Sequence, residues 1–516
     1  MDRAVKTETI VLWACVAFIV IAGVTPITLM AVDSFWQNGR ITFERYGELL
    51  SSPGFWRLLG NSVGLAAATT AACGFIGIPA GILFAKSDVP LRAAFMWMLT
   101  VPFVLPPYFT ALGWERLIAR VGLSSQWLFG FSGCVLVLST VFLPIVILFT
   151  FASASGVDRR LEEAARLASA WPRVLQKITL PLSAPGIVFS LALVFVLSIG
   201  EFSVPNFLRY PVLPVMSFTQ FAASYDFGAA TAAAIPLMGA AFLGVLAETA
   251  SLKRRVYAQR STGQTLRVSL EKWKTAWMLL VAVLCLAIVV SPLGALFSDA
   301  FSAAAFSAAF DREGGSIVRS LVYSATAATI LMGLGFLVGW FMRERGSLSL
   351  SALTLALFSI PGTVLSIGLV RLWNRPSLSL IYATPAMLIL GYTAQYCAVT
   401  ARLSHSGLSA IPASLDEAAR LSGASWFRRL GRISVPLSKR ALVCSWLAAY
   451  ILCLRDVPIA MITAPAGHDP LPARILTLMA NGAPPMIAAL CLIMAAASLI
   501  PLWLFVRAMR SLERTP

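Results

Sequence analysis

The sequence predicts an all-α membrane protein of about 12 transmembrane helices, arranged as two parallel six-helix repeats. Three observations predict it. The 516 residues are 58% apolar and 12% charged, with a mean hydropathy of +0.82, whereas soluble domains are usually about 45–50% apolar and about 25% charged. Apolar runs of spanning length recur along the chain, and one polar segment occurs twice, about half a chain apart. This composition excludes a soluble enzyme, a disordered chain and a disulfide-rich secreted scaffold.

A spanning helix needs about 20 mostly apolar residues. Such runs lie near 10–32, 58–85, 93–113, 133–156, 184–202, 229–250, 275–297, 319–342, 350–372, 384–403, 438–462 and 486–509. The first is long for a signal-peptide core, and no clear small-x-small cleavage site follows it, so it reads as an uncleaved anchor. The cysteines at 15, 73, 134, 285, 397, 444, 453 and 491 lie in apolar stretches without a CxxC and read as small hydrophobes. His405 and His468 lie far apart, so no metal site is expected.

Orientation follows from the basic residues. With a cytoplasmic N-terminus, 28 of the 40 Lys and Arg fall on inside segments and 12 outside, while the acids divide 12 to 11. The net +17 is therefore a topology signal that places both termini inside and needs no nucleic-acid partner.

Residues 161–183 read LEEAARLASAWPRVLQKITLPLS and residues 415–438 read LDEAARLSGASWFRRLGRISVPLS. Trp171/Trp426, Ile178/Ile433, Pro181/Pro436 and Ser183/Ser438 differ by 255; before the Trp the offset is 254, so the first copy lacks one residue. Ser62 and Ser320 open helices rich in Ala, Gly and Thr, and Val101-Pro102 and Ile360-Pro361 start the third helix of each half. The halves are 1–258 and 259–516, with the repeated segment between helices four and five. An even number of crossings separates the copies, which makes the repeat parallel. The basic stretch 251–274 joins the halves and reads as a solvated linker near anionic headgroups.

Within the second copy, Ser414-Leu415-Asp416-Glu417 fits a capping box and predicts a helix start. Leu415, Ala418, Ala419 and Ser422 share one face, and Gly423 ends or kinks the helix. Trp426, Leu430 and Ile433 mark a second amphipathic piece closed by Pro436. The first copy repeats these faces with Leu161, Ala164, Ala165 and Ala168, then Trp171, Leu175 and Ile178; Ser169 stands where the Gly would be. One such loop would read as an amphipathic segment lying on the membrane face. Two in matching topological positions imply a partner that is itself paired.

The pattern EAA-x3-G-x9-I-x-[LV]-P is met in full by residues 417–436, and by 163–181 apart from Ser169 and the missing residue. It resembles the cytoplasmic EAA signature of ABC importer permeases. SIGEFSVPNFL (198–208) and CLRDVPIAMITAPAGHDPLPARI (453–475) are similar to stretches of fused permeases of the ferric-iron uptake type, and thiamine and phosphonate permeases share much of the pattern. The resemblance spans nearly the whole chain. It implies a type I ABC importer permease fold in a bacterial inner membrane and ferric iron, or a ferric chelate, as cargo. It also implies that Glu163, Ala164, Ala165, Ser169, Glu417, Ala418, Ala419 and Gly423 dock against two ATPase subunits.

No Gly-Lys dipeptide occurs, so there is no phosphate loop. This chain is expected to bind no cofactor, and ATP with Mg belongs on the separate ATPase. The outside segments, each about 10–30 residues, are too short for a capture domain, which calls for a periplasmic or lipid-tethered binding protein. No catalytic set is found.

Polar residues at membrane depth are candidates for a pathway. Glu201 and Asp456 differ by the repeat offset of 255 and lie near the outer end of the helix after each loop. A pair of carboxylates there suits a cation; local pairing, with Arg455 beside Asp456, is the alternative. Tyr392, Gln395 and Tyr396 on the tenth helix are further candidates, which a polar stripe facing the helix bundle explains as well. Two parallel six-helix halves also describe secondary transporters, which would carry coupling acids deep in their helices and no paired docking loop. A channel or scaffold that anchors cytoplasmic proteins is the third reading.

Overall fold

The computed structural model describes residues 2–37, 39–224, 227–239, 266–346 and 348–512. The first half contains α1 (Thr7–Phe35), α2 (Glu44–Ser51), α3 (Pro53–Lys86), α4 (Arg92–Val104), α5 (Pro107–Arg120), α6 (Phe131–Ser155), α7 (Arg159–Ala168), α8 (Trp171–Ile199), α9 (Ser203–Phe207), α10 (Leu213–Ser224) and α11 (Phe227–Gly239). The second contains α12 (Glu271–Asp299), α13 (Ala303–Arg345), α14 (Ser349–Ser359), α15 (Gly362–Trp373), α16 (Pro385–Ser409), α17 (Ala413–Leu421), α18 (Trp426–Leu437), α19 (Lys439–Arg455), α20 (Pro458–Thr463), α21 (Leu471–Asn481) and α22 (Pro484–Arg507). A short antiparallel ladder, Trp36–Gln37 with Arg40–Ile41, follows α1.

Among the described residues, α1, α3, α6, α8, α12, α13 and α22 are long and apolar enough to cross a membrane, and three bent pairs raise the count to ten. The apolar runs 93–113 and 350–372 are not straight helices. The chain turns by 104° between α4 and α5 and by 98° between α14 and α15. A proline removes a backbone donor and crowds the preceding turn, and both breaks fall at one: Leu105-Pro106 and Ile360-Pro361. These differ by 255, so the partner of Pro361 is Pro106 and not Pro102, which lies inside α4. The run 438–462 is divided too, because α19 stops at Arg455 and α20 begins at Pro458. The run 384–403 forms α16, a continuous helix whose apolar sequence is interrupted by Tyr392, Thr393, Gln395 and Tyr396. Of the run 229–250, residues 240–250 lie outside the described residues, as do 251–265 of the basic linker.

Prolines also set local widenings. Wide π turns occur at Val20–Val24, Leu175–Thr179, Leu286–Val290 and Leu430–Ser434. Each ends two residues before a proline: Pro26, Pro181, Pro292 and Pro436. The missing N–H breaks the regular ladder and the turn opens to accommodate it. The Val20 carbonyl accepts from the Thr25 N–H and also from Thr25 Oγ1 at 3.0 Å, and the Leu286 carbonyl from the Ser291 N–H and from Ser291 Oγ at 2.7 Å, so each side chain reinforces the wide turn.

The chain forms two compact units, residues 1–49, 217–234 and 303–516, and residues 50–216 and 235–302. Neither is one contiguous half: α1 packs with second-half helices and α12 with first-half helices. In the first unit, Arg371 of α15 grips Asp33 of α1 through Nε at 2.5 Å and Nη2 at 3.2 Å. In the second, Asp299 of α12 accepts from Arg120 Nη2 at 2.5 Å and lies 3.5 Å from Arg116 Nε on α5. Arg116 and Arg371 are repeat equivalents, so both exchanged helices are fastened at the same place.

Inside each unit the long helix after the exchanged one packs on the helix before the repeated loop. At each crossing α3 or α13 presents glycine to the facing helix. A Cβ on Gly81 of α3 would lie 2.8 Å from the Ile147 carbonyl of α6, and one on Gly339 of α13 would lie 2.7 Å from the Ala401 carbonyl of α16. Small residues let membrane helices approach this closely. Ser62 and Ser320 do not open helices as expected: Ser62 lies inside α3, which starts at Pro53, and Ser320 inside α13, which starts at Ala303. Their hydroxyls accept from the backbone N–H of Leu213 at 2.9 Å and of Leu471 at 2.5 Å, at the starts of α10 and α21. Beside them Asn61 donates to the Pro211 carbonyl at 2.8 Å and Arg319 to that of Asp469 at 3.4 Å.

Overpacking a tight core typically costs about 1–3 kcal/mol. Gly81→Val and Gly339→Val are expected to lower the thermal midpoint of the detergent-solubilised protein. Gly333→Ala on the same helix, whose added carbon meets nothing within 4 Å, is the control. Equal midpoints for all three would refute the tight crossing.

Candidate functional site

The repeated loops share a plan: a short helix, a reversal, then a π turn leading into the next long helix. In the first loop, Asp158 starts α7 by accepting from Arg160 N at 2.9 Å. Glu162, one residue before the EAA glutamate, is the only buried residue of α7. Its carboxylate accepts from Lys86 Nζ at 2.7 Å and from Thr179 Oγ1 at 2.7 Å. Lys86 is the last residue of α3, 2% exposed against 0% for Glu162, and a cation there also faces the negative end of the helix dipole. One ion pair thus ties α7 to α3, and Thr179 adds α8.

The second loop departs from its expected start. Pro412 is the residue before α17, and Ser414 lies within the first turn, so the capping box does not form. Proline's fixed φ already suits a helix entry. Asp416, the counterpart of Glu162, is buried and accepts from Arg420 Nε at 2.9 Å and Arg429 Nη1 at 2.5 Å. Arg420 also donates to Glu344 in the last turn of α13. Gly423 ends α17 at φ +76°. Its N–H donates to the Arg420 carbonyl at 3.0 Å and that of Ala424 to the Ala419 carbonyl at 3.0 Å, a Schellman closure that a left-handed residue permits. In the first copy Ser169 is extended, with φ −149°. That loop runs straight on to Trp171, which accounts for the missing residue.

The sequence-selected residues lie on the open side of these loops. Glu163 is 47% exposed and, among the described residues, pairs only within its own helix, with Arg159 at 2.5 Å. Glu417, Ala164 and Ala418 are exposed, and Ala165, Ala419 and Ser169 are half-buried. Two residues missed by the face assignment stand out farther still: Leu167 is 92% exposed and Leu421 is 91% exposed. They are repeat equivalents, and that equivalence was the available signal. Trp426 is buried edge-on to Trp340, with ring centroids 5.6 Å apart, whereas Trp171 is half-buried under Arg166.

The pathway candidates divide. Glu201 accepts from Ser203 N at 2.9 Å and from the Ser203 hydroxyl at the start of α9. Asp456 accepts from Ile459 N at 2.8 Å at the start of α20, and from the Tyr396 hydroxyl at 2.6 Å. Both carboxylates therefore satisfy the opening turn of a short helix. Gln395 donates from Nε2 to the Phe358 and Ile360 carbonyls, at 3.1 and 3.0 Å, across the α14–α15 break. Tyr392 is buried, its ring 6.4 Å from that of Tyr396. The structure brings Tyr392, Tyr396 and Asp456 together within one unit; Glu201 belongs to the other. Among the described residues no group of three or more His, Cys, Asp or Glu could hold a metal ion.

Beside the first loop the described end of the linker is pinned. Val268 N donates to the Lys86 carbonyl at 2.8 Å, while Asp88 accepts from Leu270 N and Lys274 Nζ, each at 3.0 Å. The Leu270 N–H, then the Lys274 ammonium, hold the Asp88 carboxyl below its usual value.

Comparison with known proteins gives a consistent result. The family described as binding-protein-dependent transport system inner membrane component matches twice, over residues 77–302 and 331–514. A putative ferric transport system permease protein of Haemophilus influenzae is 24% identical over 86% of this chain and 76% of its own length. A ferric transport system permease protein of Actinobacillus pleuropneumoniae is 22% identical over 89% and 72%. A probable molybdenum ABC transporter permease protein of Haloferax volcanii is 30% identical over 36% of this chain and 71% of its own length.

Removing one partner of a buried ion pair costs about 3–5 kcal/mol, while an exposed i,i+4 pair is worth about 0.3–0.5 kcal/mol. Glu162→Ala is therefore expected to lower the thermal midpoint sharply and Glu163→Ala hardly at all; equal shifts would contradict the buried anchor. Because the folded-state value of Asp88 is depressed, its contribution is present above the ordinary carboxylate value of ~3.9 and lost as pH falls through the lowered one. Amide protection at Leu270, corrected for intrinsic exchange, should fall over that range in the wild type and be low at every pH in Asp88→Ala, which has no side-chain acceptor.

Proposed function

The chain belongs to the family of binding-protein-dependent transport system inner membrane components, and on that premise we propose that it forms the pathway for ferric iron or a ferric chelate across a bacterial inner membrane. As a multi-pass permease of an ABC importer it works with an ATPase and a substrate-binding protein. In the finer reading, two ATPase subunits engage α7 and α17, and both chain termini are cytoplasmic. The observation that carries this is the matched pair of loops. Each presents a nearly fully exposed leucine, Leu167 or Leu421, on a short helix fastened to a membrane helix, directly through the buried Glu162 in the first loop and through Arg420, which binds both the buried Asp416 and Glu344, in the second. An apolar side chain held out this far on a fastened helix suits insertion into a groove of a partner. Closure of the ATPase pair would then move both loops together and switch access across the membrane.

The cargo reading is supported by the two relatives that match nearly the whole chain, both named for ferric transport. The molybdenum-named relative covers about one third of it. Glu201 and Asp456, with Tyr396, supply hard oxygen atoms on the way. Their bonds to α9 and α20 leave them suited to brief contact with a passing cation, since tight binding would slow release.

Uptake of radiolabelled ferric citrate into cells lacking this chain tests both levels. Deletion should abolish uptake, and the wild-type gene should restore it. Leu167→Asp with Leu421→Asp, and separately Glu417→Lys with Glu163→Lys, should reach the membrane yet transport at least tenfold less. Undiminished iron uptake on deletion would remove the iron assignment and bring thiamine, phosphonates and molybdate to the test. Normal transport by both loop variants would overturn the docking role.

A further inference from the structure

The two loops are fastened by different chemistry at equivalent positions. Lys86 and Glu344 differ by 258, as do Ser62 and Ser320 on the same pair of helices. Glu162 and Asp416, and Arg166 and Arg420, differ by the loop offset of 254; Val174 and Arg429 differ by 255. In the first copy a buried cation on α3 meets the buried acid on α7 directly. In the second, α13 offers an acid instead, which would repel Asp416. Arg420 stands between the two acids and binds both, and Arg429 supplies a second cation to the same Asp416 oxygen. The first copy already holds an arginine at the bridging position. Arg166 is idle in this respect and lies over the Trp171 ring, 5.6 Å from its centroid. Val174, buried where the second copy has Arg429, is apolar.

We infer that Glu162 and Asp416 are the positioning residues that make α7 and α17 rigid extensions of α3 and α13, through two interchangeable ion networks. The role rests on the ATPase-docking reading above; the interchangeability does not. A charge reversal at position 86 alone places two acids together with no bridge. The same reversal with an arginine at 174 rebuilds the second network in the first loop, since the remaining members are present. Neither Lys86 nor Val174 lies on the exposed docking side, so any effect on coupling passes through the anchor.

The test compares Lys86→Glu with Lys86→Glu/Val174→Arg in the full-length protein, purified with its co-purifying ATPase and reconstituted. Hydrogen exchange over 159–182 reads the anchor without reference to the ATPase. Protection should drop at least tenfold in the single variant and return to within about threefold of wild type in the double. The ratio of ATP hydrolysed to ferric citrate imported reads the role. It should rise at least tenfold per assembled complex in the single variant and fall back in the double, whereas merely poorer folding would lower the yield and leave the ratio unchanged. If the single variant does not accumulate, recovery of yield and ratio in the double carries the same meaning. Unchanged protection in the single variant, or no recovery in the double, overturns the interchange. Recovery of protection without recovery of the ratio overturns the positioning role. If no ATPase accompanies even the wild type, the docking reading and the positioning role fail together, and the exchange data still decide the anchor.

Discussion

A helix broken inside a membrane exposes N–H and C=O groups that lipid cannot satisfy, each at a cost of several kcal/mol. Much of the internal polar chemistry of this protein answers that constraint. Gln395 reaches across the α14–α15 break to two carbonyls, and Ser62 and Ser320 accept from the first amides of α10 and α21. Glu201 and Asp456 do the same for α9 and α20. Thr25 and Ser291 add a second donor to carbonyls that already accept the π-turn N–H. The breaks give the chain its direction changes, and these side chains make the breaks tolerable. A residue can satisfy a helix end and still offer oxygen atoms to a passing ion, so the two roles of Asp456 are compatible.

The ends that carry the repeated loops obey a different rule. There the membrane helices meet short amphipathic ones, and connection is made by charge shielded from water. A buried pair such as Lys86–Glu162 is poor evidence for stability, because desolvation offsets much of the attraction, but it is strict about geometry. The second copy reaches the same attachment with four partly solvated groups. Conserving the attachment while changing its chemistry is what repeat halves that have drifted apart would do.

The sequence reading succeeds where the signal is periodic or duplicated and fails where direction matters. The apolar runs, the 254 and 255 offsets and the Ser62/Ser320 pair each correspond to something in the fold. Hydropathy sums composition along a window, so it could not register turns of about a right angle at Pro106 and Pro361. Within the loops, the EAA resemblance drew attention to Glu163 and Glu417 and away from Glu162 and Asp416. The acid of an EAA loop that touches the rest of the protein is the one before the motif, and only contacts distant in sequence reveal it. The capping box at Ser414 failed because Pro412 had already started the helix.

The exchange of first helices bears on how the chain is made. Asp33 and Arg371 stand 338 residues apart, so at about 5–20 residues per second the ribosome delivers the partner roughly 20–70 s after the acid. Through that interval α1 sits in lipid with no second-half helix to pack on. Its acid lies at the very end of an otherwise apolar span, near headgroups and water, where an unpaired carboxylate is affordable. By contrast, α12 emerges when α5 and its arginines are already in place. The nascent protein therefore assembles in two unequal episodes, and the unit that contains the first helix translated is the one completed last.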